Sequence, residues 1–109
     1  MEETIKAENI INNIPKVDNM TSSRGNDIPN QFIIMGKGWK LFQSYNSPIA
    51  LIVDDETGLC GKVYIFRNWD YSVTTGKYRN DFLDETKKET LNKLKSGEYI
   101  AVGFSVDDL

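Results

Sequence analysis

No histidine occurs among the 109 residues, and Cys60 is the single cysteine. The first absence removes the commonest general base and the commonest transition-metal ligand, and with them Ser-His-Asp, Cys-His and His-based zinc designs. A lone cysteine builds neither an internal disulfide nor a Cys-rich metal site; beside Gly61 at the start of a strand, Cys60 reads as a small apolar filler rather than a reactive thiol. Long apolar runs are missing too. The longest, PIALIV at 48–53, falls far short of the roughly 20 residues that cross a bilayer, and the acidic start MEETIKAENIINNIP lacks the character of a signal peptide. The expectation is a cytoplasmic protein with no membrane contact. An excess of positive charge is also absent: the net charge of −3 weighs against broad attachment to phosphate backbones, whose affinity rests on many Lys and Arg contacts.

What is present suffices for one folded domain. With 39% hydrophobic and 11% aromatic residues, a chain of this length buries about two-thirds of its unfolded surface around one modest core. Residues 1–29 are poor in aromatics, with a sketchy helical face of Ile5, Ile10, Ile11 and Ile14 before Pro15, then a loop-like DNMTSSRGND at 18–27. They read as an N-terminal arm, flexible or a short helix, with the folded domain spanning 30–104 and an acidic tail at 105–109. Four runs rich in β-branched and aromatic residues follow: NQFIIM at 30–35, WKLFQSY at 39–45, IALIVD at 49–54 and KVYIFR at 62–67. Their short connections imply antiparallel neighbours. Trp39, Leu41, Gln43 and Tyr45 alternate with Lys40, Phe42 and Ser44, whereas IALIV is apolar on both faces and reads as a central strand. DETKKETLNKLKSG predicts a helix with Asp84 as N-cap, a Glu89–Lys93 pair, a stripe of Leu83, Leu91 and Leu94, and Gly97 just past its end. YIAVGF at 99–104 reads as a last strand. The fold class is α+β: a small curled antiparallel sheet of about five strands, in the order β-β-β-β-α-β, with one helix packed on it.

Catalytic signals are thin. Asp54, Asp55 and Glu56 are adjacent carboxylates in a hairpin loop, better suited to a solvated turn than to a metal site, and TTGK at 74–77 lacks the upstream glycine spacing of a phosphate loop. The expectation is therefore no enzyme and no cofactor. NWDYSVTTGKYRNDFLDE at 68–85 is the densest stretch. Burying Trp69, Tyr71, Tyr78 and Phe82 would anchor a strand-to-helix corner, with Ser72, Thr74 and Thr75 bonding local backbone and Thr75 capping a short helical turn. The same mixture of Lys77, Tyr78 and Arg79 beside Trp69 and Tyr71 also occurs at interface hot spots and on single-strand nucleic-acid platforms.

TSSRGNDIPNQFII, LFQSYNSPIALI, GKVYIF and WDYSVTTGKYRNDFLDE together resemble a family of small uncharacterised proteins of phages and mobile elements of Gram-positive bacteria, over about residues 21–100. That resemblance supplies no activity or catalytic residue; it implies a setting, the bacterial host cell, in which small proteins commonly act by stoichiometric binding. The expected function is a non-catalytic inhibitor of a host defence effector, of the CRISPR type or another nucleic-acid-processing kind. Its expected contacts are Trp69, Tyr71, Lys77, Tyr78 and Arg79 with Arg24 and Lys37 nearby, while Asp54, Asp55 and Glu56 mimic phosphates toward a basic channel. The alternative is a single-strand nucleic-acid-binding module stacking bases on Trp39, Tyr45, Trp69 and Tyr78. A third reading is an assembly protein whose sheet edges pair with copies of itself.

Overall fold

A computed structural model describes residues 2–109, the side chain of Cys60 excepted, so the reading of that thiol lies outside the described residues. The chain runs α1 (Glu2–Asn12), β1 (Lys16–Thr21), β2 (Asp27–Gly36), β3 (Trp39–Ser44), β4 (Ser47–Asp54), β5 (Cys60–Phe66), α2 (Val73–Leu83), α3 (Lys87–Ser96) and β6 (Tyr99–Val102), then a 3-10 turn at Val106–Asp108. The six strands lie in chain order in one sheet. Neighbours from β1 to β5 are antiparallel, as their short connections require, and β6 joins β5 in parallel after the α2–α3 crossover. The α+β class and the central place of β4 match the sequence reading.

Three elements differ from it. The sheet begins at Lys16 rather than Asn30, because KVDNMT pairs along β2 through its backbone although it offers few apolar side chains. One expected helix is two: Ser72, not Thr75, caps α2 by accepting from the Thr75 amide, and Asp84 ends that helix in a left-handed conformation (φ 54°) instead of starting the next. Thr86 caps α3, and its exchange of hydrogen bonds with Glu89 forms a capping box that satisfies two otherwise orphan amides. Gly97 ends α3 at φ 84°, as expected. Glu89 being committed to the cap, Lys93 pairs with Glu85 at 2.9 Å and more loosely with Glu98 at 4.0 Å.

The core sits between one sheet face and α2–α3. Phe42, Ile49, Ala50, Val63 and Ile65 from the sheet meet Trp69, Leu94 and Tyr99, with Phe82, Leu83 and Leu91 packed against them. The Phe42 and Phe82 rings stand 5.8 Å apart. Glu85, whose side chain is only 3% exposed, ties α3 to β6: the Tyr99 hydroxyl and Lys93 donate to its Oε1, at 2.6 and 2.9 Å, and Thr90 donates to Oε2. Burial pushes this carboxyl up, but the bonds from Thr90, Tyr99 and Lys93 outweigh it and leave it below the usual carboxylate range. No helix among the described residues is long and apolar enough to cross a membrane.

Candidate functional site

The corner built by residues 68–85 is largely interior. Trp69 is 4% exposed and Arg79 1%, which corrects the expectation that both face a partner. Arg79 donates from Nη1 to the Trp69 carbonyl at 2.6 Å and to Asp70 Oδ1 at 3.2 Å, and from Nη2 to Asn80 Oδ1 at 3.0 Å. Its guanidinium also lies 4.8 Å from the centre of the Trp69 ring. A planar fork serves carbonyl, carboxylate and ring together, which a lysine could not. Asp70 takes a second cation, Lys87, at 2.6 Å. Cation and aromatics here fasten β5 to α2.

Under the start of α2 lies a small buried polar cluster. Ser44 Oγ and Thr75 Oγ1 are 3.0 Å apart, Ser72 donates to Thr75 at 3.0 Å, and Gln31, opposite Ser44 in the sheet, is fully buried with neither amide atom partnered in the protein. A recess of about 650 Å³ opens beside it, lined by Asp70, Ser72, Gly76, Lys77, Arg79 and Lys87 among others. Asp70 is shared there between Arg79 and Lys87, so its single charge offsets one of the two.

The other sequence-predicted residues do not form one surface. Tyr71 and Lys77 are exposed, and Tyr78 is half-buried with Lys77 Nζ 5.3 Å from its ring centre. The turn carrying Arg24 reaches this end of the molecule, where Ser22 and Ser23 share a cleft with Lys77, Tyr78 and Asp81. Lys37 and the acidic turn sit at the opposite end, beyond β2, about 30 Å away by strand length. Asp54, Asp55 and Glu56 are all exposed, and Asp55 is committed within the turn: its Oδ1 accepts from the Thr57 hydroxyl at 2.6 Å and from the Thr57 and Leu59 amides at 2.8 and 3.1 Å. The Thr57 bonds hold its carboxyl below the usual range. Among the described residues no three His, Cys, Asp or Glu gather where a metal ion would need them.

The feature that sequence reasoning passed over is the sheet face opposite the helices. Register places Val17, Ile34, Leu41, Leu51, Tyr64 and Ile100 in one transverse row, each opposite the next, so that all six strands contribute an apolar side chain. None of these belongs to the core cluster; Leu41, Leu51 and Tyr64 are half-buried by their neighbours alone, and Val17 is 61% exposed. Beside the row, Trp39, Leu41, Pro48, Leu51, Val53 and Phe66 line a recess of about 330 Å³. Gly36 shapes its wall: a Cβ there would stand 2.1 Å from the Trp39 indole, so only glycine lets the ring lie against β2. The signal was present in IALIV, apolar on both faces, combined with helices for one face only.

Fold and site together define a two-layer α+β domain with one bare apolar sheet face. The chain belongs to a family of unknown function, DUF8033, which matches residues 15–98, from just before β1 to just before β6. No curated protein and no solved structure matches the chain.

Proposed function

We propose that this is a non-catalytic protein-binding domain that docks its partner on the bare sheet face. The observation that carries the reading is the unbroken apolar row from Val17 to Ile100, flanked by the Trp39–Phe66 recess. Contiguous apolar surface of this breadth on a folded domain marks an interaction site, and an aromatic in a shallow recess is the usual anchor of one. The inhibitor of a nucleic-acid-processing effector, implied by the sequence resemblance, is the form of this reading that fits a small acidic chain. Its contacts move from the buried Trp69 and Arg79 to Trp39, Leu41, Leu51 and Phe66. Base stacking is less well served, because Lys62 is the only cation in these rows, and phosphate attachment needs several.

The test is affinity capture from a bacterial lysate with the wild-type chain and with Leu51→Lys, each with and without nuclease. Protein retained by the wild type after nuclease, and lost with Leu51→Lys while that variant keeps its melting temperature, supports the reading. Retention that disappears with nuclease transfers it to a nucleic-acid role. Retention indifferent to Leu51→Lys removes the bare face from function.

A further inference from the structure

A second apolar surface in the same molecule also lacks cover. Helix α1 buries no residue, and Ile10, Ile11 and Ile14 are 60–64% exposed. Ala7, Ile10, Ile11 and Ile14 stand at i, i+3, i+4 and i+7, the spacing of one helical stripe, and the bond from the Ile14 amide to the Ile11 carbonyl carries the turn through to Ile14. Glu2, Glu8, Asn9 and Asn12 fall on other sides. A solvated helix of this length is marginal without a packed face. The arm also stretches the molecule: its radius of gyration is 15.9 Å, against about 13 Å for a compact chain of this length.

We infer that α1 of one copy lies along the bare row of a second copy, and that the two copies exchange arms in a closed twofold dimer. This rests on the reading of the bare face as a docking surface and names its occupant in the free protein, a second copy that the partner of the docking reading displaces. Dimensions agree. The row crosses six strands, about 24 Å at 4.8 Å spacing, and the eleven-residue helix is about 16 Å long and 10 Å wide, enough to span it from β2 to β5. Charge agrees as well. The rows beside the recess hold Lys62 and no carboxylate, and Glu3, one turn before Ala7 on the stripe side of α1, supplies the opposite sign. One arm alone covers well under the roughly 800 Å² per partner of a specific interface. Reciprocal exchange doubles the contact and closes the assembly, so no bare face is left to propagate a fibre. Residues 2–12 lie outside the matched family region, whereas β1 to β5 of the bare face lie within it.

The experiment is sedimentation equilibrium of the full chain over a concentration series, with a photo-crosslinking residue at Leu51 in a mixture of light- and heavy-isotope chains. The expected mass rises toward twice 12.4 kDa, with crosslinks from position 51 to residues 5–14 joining light to heavy chains. Ile10→Lys with Ile11→Lys abolishes the rise, as does Leu51→Lys. Mixing the arm variant with the face variant restores light–heavy crosslinks, because one sound arm meets one sound face. Crosslinks confined to chains of the same isotope would show the arm folding onto its own sheet and overturn the exchange. Crosslinks from 51 to 51 would overturn the arm as occupant. A monomer at every concentration overturns the inference; if that monomer still captures a lysate protein in a Leu51-dependent way, the docking reading survives, and if it does not, both fall.

Discussion

The two faces of the sheet use nearly the same residues to different ends. On one, Ile33, Phe42, Ala50, Ile65 and Ala101 form a row opposite one another, and α2 and α3 close over its centre until Phe42, Ala50 and Ile65 are wholly buried. On the other, Ile34, Leu41, Leu51, Tyr64 and Ile100 form the adjacent row, and none of the described residues closes over it. Hydrophobicity therefore does not assign a face to the core; the covering elements do. Those elements are held by polar devices: the Arg79 fork, the Thr86–Glu89 box and the Glu85 network.

Leu41 and Phe42, neighbours in β3, offer the sharpest way to break the comparison. Phe42→Ala empties a site without solvent and is expected to cost about 3–5 kcal/mol, whereas Leu41→Ala removes a half-wet side chain and costs about 1 kcal/mol. Both values are for the dilute monomer; a Leu41→Ala loss that grows with protein concentration in urea melts would mean that a second copy covers the second face, and equal losses at every concentration that the chain itself covers it. Arg79→Met comes next, at about 2–3 kcal/mol, because it leaves the buried Trp69 carbonyl unbonded while keeping much of the apolar bulk. A loss below 1 kcal/mol would show that the corner does not depend on the fork. Thr86→Ala removes the cap of α3 and is expected to lower stability by about 1 kcal/mol without changing any contact of the bare face, which heat denaturation and capture of the same partner together would check.

The smallest effect is a slope with pH. Glu85 has a folded pKa below its unfolded one, so its stabilisation is complete above the unfolded carboxylate value and is lost as pH falls through the folded value. Lys93 is raised, chiefly by its hydrogen bond to Glu85, so its share is complete below the ordinary lysine value and is lost as pH rises through the folded one. Between these limits the tie from α3 to β6 is at full strength. Glu85→Gln should flatten the acid limb of a stability–pH profile; an unchanged limb would assign acid loss to other carboxylates.

Strands β2 to β5 were legible because their apolar content and short turns leave antiparallel pairing as the economical solution. β1 was not, since an edge strand such as KVDNMT needs little side-chain burial to hold its backbone bonds. α2 was half legible: Thr75 reads as a cap, but paired threonines, Gly76 and the missing apolar stripe hide a helix that Ser72 and the Arg79–Trp69 packing impose. The division into α2 and α3 turned on two carboxyl- and hydroxyl-bearing residues, Asp84 and Thr86, both acceptable caps, of which the T-x-x-E spacing favours Thr86. For the site, residue type pointed outward where the structure points inward. Arg79 is charged and yet among the most buried side chains, because the Trp69 carbonyl, Asp70 and Asn80 take the bonds of its two Nη groups, Nε alone staying unpartnered, and no local pattern in sequence carries that information.

The strand order has a consequence for how the chain is made. β2 to β5 each pair with the strand synthesised just before, so a five-strand meander is complete once Phe66 has emerged from the ribosome. The closing parallel pair, Val63 with Tyr99, waits for 33 more residues up to that tyrosine, about 2–7 s at ordinary elongation rates of 5–20 residues per second. During that interval the nascent sheet shows two greasy sides, and translation speed between residues 66 and 99 sets how long a chaperone has to shield the one that the helices will later claim.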